Sequence, residues 1–441
     1  MALTLSTFAE PDEHWQSREI ARYFLTNSAN LTWEWMHKIR SFAFPAIIAS
    51  GYRIFNFARW WPPLLMAMSA TCFDYYTVAF AAKIFGRQII RPAQFLVMTN
   101  PFHTCYSIRT FTNSLEATLT AVALYYWPYA GIEQKRSNFH ISLMIIAMTL
   151  VLRPTAIVLW VIPGLNHWFN CGFSPLVALK GILAIVASQV ITVGIDSIFY
   201  KKIVFTTFNF IQFNFLSNSS SFYGVHPVWW YFIVAVPVIL GPFILFVRTT
   251  GNRVLLATVI FTISIFSSMQ HKEVRFLYPL SPILFSWAAS GLQTRGRKTF
   301  FFLFIACLPG AFYFTWVHQR GVIDVVKWLH KEATPNSSVF WAMPCHSTPY
   351  YDYLNRKDVL MDFIHCEPPV VTLKYPFNET DFFADIKSSL SALDYTYVIT
   401  FECLQHQKVL ETRYKECKRF FNTHFNGDER RKGDVIVWCR L

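Results

Sequence analysis

Ten apolar runs, near 60–83, 92–108, 113–130, 139–152, 155–170, 174–195, 228–247, 254–270, 276–292 and 299–316, alternate with short polar clusters. A helix crosses a bilayer with roughly 20 mostly apolar residues, and only helices or closed barrels satisfy their backbone there. The chain therefore reads as an all-α polytopic membrane protein with about ten spans. Composition agrees: 54% of the 441 residues are hydrophobic, only 15% are charged, and the mean hydropathy is +0.31. A soluble chain of this length carries far more charge. The runs 139–152 and 155–170 are short, and a broken or re-entrant hairpin is expected around Arg153-Pro154-Thr155. MALTLSTFAE at the start is too short to span and lacks a basic region, so no cleavable signal is read.

The net charge of +13 sits in short clusters between the runs, which suits membrane orientation and gives no reason to expect nucleic acid. Alternating sides along the runs places Arg87 and Arg91, Lys135 and Arg136, Arg248 and Arg253, and Arg295, Arg297 and Lys298 together, on the expected cytoplasmic side. The opposite side receives a loop at 10–58, another at 196–227, the connection His271-Lys272-Glu273, and everything after His318. The sequons at Asn30, Asn218, Asn336 and Asn378 all fall on that second side, which favours a lumenal assignment.

The pattern changes after about residue 318, dividing the chain into a multi-span part at 1–317 and a small lumenal α/β domain at 318–441. GVIDVVKWLHK has the period of an amphipathic helix; SSVFWAMPC, VLMDFI, YTYVITFE and DVIVWCRL read as strands. DFFADIKSSLSAL and QHQKVLETRYKE are predicted as helices between them. Five cysteines lie in this domain. Cys345–Cys366 is the first disulfide expected, and the odd number leaves one thiol free.

Two clusters carry chemical interest. In PDEHWQSREI, Asp12, Gln16 and Glu19 stand at i, i+4 and i+7, on one face of a helix. The spacing alone suits a solvated helix start with acids near the positive end of the dipole at least as well as a catalytic loop. SMQHKEVRFLYPL sets His271, Lys272, Glu273 and Arg275 between two apolar runs with almost no loop. Ionisable groups at membrane depth are costly and tend to face a cavity or a partner. A cationic clamp for an anionic head group is the stronger reading, a snorkelling anchor the weaker. Arg109, Asn113, Glu116, Arg153, Asp196, His226 and the pair Trp229-Trp230 face the same side, with Arg109–Glu116 a possible intramembrane pair. No metal-ligand spacing, P-loop or glycine-rich dinucleotide turn is present, so a nucleotide-sugar donor is not supported.

PDEHWQ with LTWEW (31–35), RTFTNSLE (109–116) and HKEVRF (271–276) resemble the endoplasmic-reticulum mannosyltransferases that use dolichyl-phosphate mannose, a GT-C-fold family. MPCHSTPYY (343–351), after HQRG (318–321), looks like the branch that adds a third, α1,2-linked mannose to the GPI glycolipid precursor. The resemblance runs from residue 11 to about 425. Relatives carry a first transmembrane helix before the PDE loop, which this sequence lacks and which suggests a truncated gene model. The resemblance implies an inverting transfer at the lumenal face of the endoplasmic-reticulum membrane, among its lipids. Asp12 would be the general base, with Glu13 as fallback. His271, Lys272 and Arg275, with Arg109, would bind the donor phosphate. Gln16, Glu19 and Glu34 would meet acceptor hydroxyls. No metal or other cofactor is expected. An N-glycan α1,2-mannosyltransferase and a fourth-mannose GPI transferase remain alternatives within the class. A lipid or sugar transporter is the alternative outside it, disfavoured because the unusual residues cluster on one side.

Overall fold

The computed structural model describes residues 5–27, 31–129, 136–216, 224–249, 252–366 and 378–441. Its larger part is helical, as the apolar runs require. Trp61–Phe85 begins with Pro62 and Pro63, where a missing N–H breaks no helical bond, and stops at Gly86, whose φ of +90° suits a residue without Cβ. The run at 92–108 is split into Ile90–Thr99 and Pro101–Tyr106. Asn100 is extended between them, and its side chain accepts from the His103 N–H at 2.8 Å. Ser281–Leu292 is buried on every side, the mark of a helix at the centre of a bundle. At Gly291 a methyl group would overlap the Phe246 carbonyl, so glycine allows the close approach there. Pro175–Tyr200 is the reverse case, with Leu179, Leu183, Val186 and Val190 all outward, as on a lipid-facing surface.

Among the described residues, three helical stretches are long and apolar enough to cross a membrane: Trp61–Phe85, Pro175–Tyr200 and Arg297–Glu332. Ser137–Leu152, Tyr231–Phe246 and Arg253–Ser268 are shorter and apolar. The two arms of the expected hairpin at 139–170 meet at their far ends, where the Phe139 and His167 rings lie 4.5 Å apart. The chain breaks at Arg153-Pro154, and Arg136–Leu152 packs on Thr112–Tyr126 and Pro175–Tyr200, while Ile157–Asn170 packs on Arg253–Ser268.

The C-terminal part is a five-stranded sheet of β1 (Ser338–Ala342), β2 (Leu360–Phe363), β3 (Tyr397–Phe401), β4 (Tyr414–Phe420) and β5 (Val435–Arg440), in the order β2-β1-β3-β5-β4. β1 is parallel to β2 and β3; β5 is antiparallel to β3 and β4. Alternation divides the side chains between two layers. Val339, Trp341, Ile399 and Val437 pack on the helix Gly321–Glu332 and on Phe8 and Trp15 from the start of the chain. Phe340, Val398, Ile436 and Trp438 pack on Phe382, Leu390 and Leu410. All four predicted strands are present. The helix predicted at 405–416 is not: Gln407–Thr412 is a short 3₁₀ turn, and YKECKRF continues as edge strand β4. Its charged side chains mimic a helix surface in sequence, yet they are what protects an exposed edge.

Cys345–Cys366 and Cys417–Cys439 form disulfides, leaving Cys403 as the free thiol of this domain. Asn336 is exposed in the turn before β1, and Asn378 caps the helix Glu379–Ala384; Asn30, Asn218 and Lys135 lie outside the described residues. Maleimide labelling of the denatured, unreduced protein, followed by peptide mass analysis, is expected to modify Cys403 and to spare Cys345, Cys366, Cys417 and Cys439.

Candidate active site

A cavity of about 800 Å³ opens where the N-terminal segment, the 269–276 connection and the C-terminal domain meet. Its walls include Glu10, Asp12, Gln16, Glu34, Arg40, Arg153, His271, Lys272, Glu273 and Arg275, with His346 and Arg431 from the C-terminal domain. Glu273 is extended between Arg253–Ser268 and the 3₁₀ turn Val274–Leu280. Alternate side chains of this stretch therefore diverge, and the basic residues meet the cavity from different angles.

Arg275 is the centre of the charge arrangement. Its guanidinium lies 2.5 Å from Asp12 Oδ2 and 2.9 Å from Glu10 Oε2, and it also pairs with Glu273. The Phe111 ring covers it at 5.1 Å, a cation–π contact that leaves the guanidinium 5% exposed. A cation this buried needs such partners, because desolvation otherwise exceeds the Coulombic gain. Burial pushes the Glu273 carboxyl up, but Arg275 and His271 outweigh it and hold the group well below the usual range. His271 is the reverse: burial lowers it, while its 2.9 Å contact with Glu273 brings the net shift upward, towards the charged form. Glu10 is pushed up by burial and only partly pulled back by Arg275, to about 7. Its other oxygen accepts from the Tyr106 hydroxyl at 3.0 Å.

Lys272 is placed differently. It is 3% exposed, and its ammonium meets backbone carbonyls only, those of His226 at 2.8 Å and of Met269. Among the described residues it has no carboxylate partner, so its charge is available to an anion. Arg153 pairs with Glu116 at 2.9 Å, not with the expected alternative in which Arg109 takes Glu116. Glu34 accepts both Arg40, at 2.6 Å, and the Gln16 amide, at 3.1 Å. Gln16 and Glu34 thus form one polar edge beside Asp12.

The structure places three of the expected residues away from the cavity. Glu13 is 3% exposed and faces away from the cavity, tied to Arg109 at 2.8 Å. Arg109 also donates to the Thr7 carbonyl and hydroxyl and the Phe314 carbonyl, so it anchors the chain start instead of lining the cavity. Glu19 is fully buried against the C-terminal domain, accepting from the Tyr350 and Asp352 N–H groups at 3.1 and 2.8 Å. The cause is local: His14–Arg18 is a π-helix, whose wider turn takes residues seven apart off a common face. Arg275 lines the cavity as expected, but carboxylates surround it. Glu10, Arg40, His346 and Arg431 were missed. The run of three acids in EPDE was a signal for Glu10; nothing local marks the other three. Cys345, Cys366 and Glu379 are near enough to hold an ion, but the two sulfurs are joined to each other and offer no thiolate.

Three kinds of likeness bear on this site. Residues 1–355 match the model of the Alg9-like mannosyltransferase family. The chain is 34% identical to GPI mannosyltransferase 3 of Yarrowia lipolytica, over 99% of this chain and 94% of that one. It is 32% identical to human GPI alpha-1,2-mannosyltransferase 3, over 94% of this chain and 80% of that one. The crystal structure of ArnT from Cupriavidus metallidurans bound to undecaprenyl phosphate superposes with a TM-score of 0.62 at 12% identity, covering 100% of this chain and 95% of that one. That likeness shows the shared GT-C fold. On the sequence match over most of its length, the chain belongs to the Alg9-like mannosyltransferase family.

Proposed function

We propose that the cavity transfers mannose from dolichyl-phosphate mannose to the 2-hydroxyl of the GPI precursor, adding the third, α1,2-linked mannose at the lumenal face of the endoplasmic-reticulum membrane. The observation that carries this reading is the joining of Asp12 and the HKEVRF connection in one cavity, a carboxylate and an uncommitted cation on adjoining walls. The names of the similar proteins support the acceptor and linkage. The undecaprenyl phosphate bound to ArnT supports a lipid-phosphate donor. The sequons and disulfides support the lumenal side.

A β-linked donor and an α-linked product require a single inversion at the mannose C1. Arg275 fixes Asp12 through Oδ2, and Oδ1 has no protein partner among the described residues. That oxygen takes the proton of the acceptor hydroxyl as its oxygen bonds to C1 and the C1–phosphate bond breaks. The dolichyl phosphate leaves with the electron pair and needs no second carboxylic acid, unlike the leaving group of an inverting hydrolase. Lys272 and His271 meet the growing phosphate charge. Arg275, already shared among carboxylates, mainly orients the base. Gln16 and Glu34 meet acceptor hydroxyls. The cationic side chains fill the place a divalent metal would take.

Asp12→Asn is expected to lower kcat by roughly 10²–10⁴-fold with protein level unchanged, measured by mannose transfer in membranes. Lys272→Ala is expected to raise the donor KM about 10- to 100-fold, with little change in the acceptor KM. Normal transfer by Asp12→Asn would remove it as the base.

Glu10 holds its proton below about pH 7 and is negative above it. Its ionisation adds charge of the same sign as the donor phosphate. Donor kcat/KM is expected to fall as pH rises through about 7 in the wild type, and Glu10→Gln is expected to flatten the profile there. An unchanged inflection in Glu10→Gln would assign it to another group.

A further inference from the structure

The helix that carries Asp12 and Gln16 at the cavity turns its other side to the C-terminal domain, and buried charged side chains make much of that contact. Arg18 Nε lies 2.7 Å from Asp352 Oδ2, while the Tyr52 hydroxyl donates to Oδ1 of the same carboxylate. Glu19 accepts the Tyr350 and Asp352 N–H groups, and Arg22 donates to Asn355 Oδ1 at 2.7 Å. Arg18, Glu19, Arg22 and Asp352 are all at most 5% exposed. Trp15 takes part on both sides. It lines the cavity, its indole N–H donates to the Thr348 carbonyl at 3.2 Å, and its ring packs on His346 and Tyr350.

Burying this many charged groups is poor value for stability alone, since apolar residues of like volume serve as well or better. The best-attested use of a buried ionic network is to fix register. Register matters here because the π-turn at His14–Arg18 sets which side chains reach the cavity. Tyr52, on the helix Ala43–Ile54, brings a third segment to the same carboxylate. The hydrogen-bond and ion-pair partners of Trp15, Arg18, Glu19 and Arg22 in the C-terminal domain come from residues 345–355, and Cys345–Cys366 ties the start of that stretch at the cavity wall.

We propose that residues 345–355 of the C-terminal domain are a clamp that sets the register of the Asp12-bearing helix, with Asp352 as its central positioning residue and Cys345–Cys366 holding it in place. Asp352 touches no substrate. It acts through Arg18 and Tyr52, and the proposal rests on Asp12 being the base.

The test pairs kinetics with hydrogen exchange on the detergent-solubilised full chain. Asp352→Asn, Tyr52→Phe and the double variant Cys345→Ser/Cys366→Ser are each compared with wild type and with Asp12→Asn. The clamp variants are expected to speed exchange of amides 13–22 while β3 and β5 stay protected. A displacement near 1 Å lowers kcat on the order of 10²-fold, and donor KM is expected to stay within about twofold, since Lys272 and His271 lie on another element. Tyr52→Phe removes one hydroxyl and keeps the packing, so it carries the test if Asp352→Asn fails to accumulate. Unchanged exchange at 13–22, or faster exchange with full kcat, overturns the proposal. In the second case the activity of Asp12→Asn locates the fault: full activity there shows that the base was misassigned, and lost activity shows that the clamp does not position it.

Discussion

One guanidinium organises the mouth of the helical bundle. Arg275 draws Asp12, Glu10 and Glu273 to itself under the Phe111 ring, and those carboxylates come from two segments more than 260 residues apart in the chain. Neither segment could bury its charges alone, because a single ion out of water costs several kcal/mol even after relaxation. When the two are brought together, the Arg275 guanidinium gains carboxylate partners from both segments. The N-terminal stretch is thereby fastened to the connection between Arg253–Ser268 and Val274–Leu280. Lys272, one residue before Glu273, is left with carbonyl partners only. Saturating one cation and leaving its neighbour uncommitted is what divides base orientation from phosphate binding in the proposed mechanism.

The bundle and the sheet meet through the same short helix. Phe8 and Trp15 complete the apolar layer beneath β1 and β3, while Arg18, Glu19 and Arg22 bind residues in and beside the short helix Tyr351–Leu354 that follows β1. Glu13 and Arg109 secure the chain start against the Phe314 carbonyl, near the end of Arg297–Trp316. The stretch 5–27 is thus held on three sides, and the fourth is the cavity. The corrected residues have not lost importance by leaving the cavity. Glu13, Arg109 and Glu19 hold the scaffold on which Asp12 stands.

What was legible in the sequence follows from how far each signal reaches. The long apolar runs and the short apolar, β-branched and aromatic stretches SVFWA, YVITF and VIVWCR are local, and the helices and four strands came from such signals. Edge strand β4 was misread because YKECKRF has the composition of a helix surface and its pairing with β5 is not a local property. Asp12 and Gln16 were marked by their spacing on one helix face, the HKE cluster by its place between two apolar runs, and Glu34 by the family resemblance; the cavity gathers them. Glu19 was misplaced because a π-turn cannot be seen in a pattern read at 3.6 residues per turn. Arg109 was misplaced because its partner lies 96 residues earlier, and spacing along a helix suggested Glu116 instead. His346 and Arg431 reach the cavity only through the sheet's docking, which no local pattern encodes.

The division of labour around Arg275 is tested most directly by a high-resolution structure of the full chain with a bound polyprenyl phosphate. The phosphate is expected against Lys272 and His271, with Arg275 still holding Asp12 through one oxygen and the other open towards the acceptor side. A phosphate seated on Arg275 with Asp12 released, or one bound at Arg430 and Arg431 on the far wall, would contradict it.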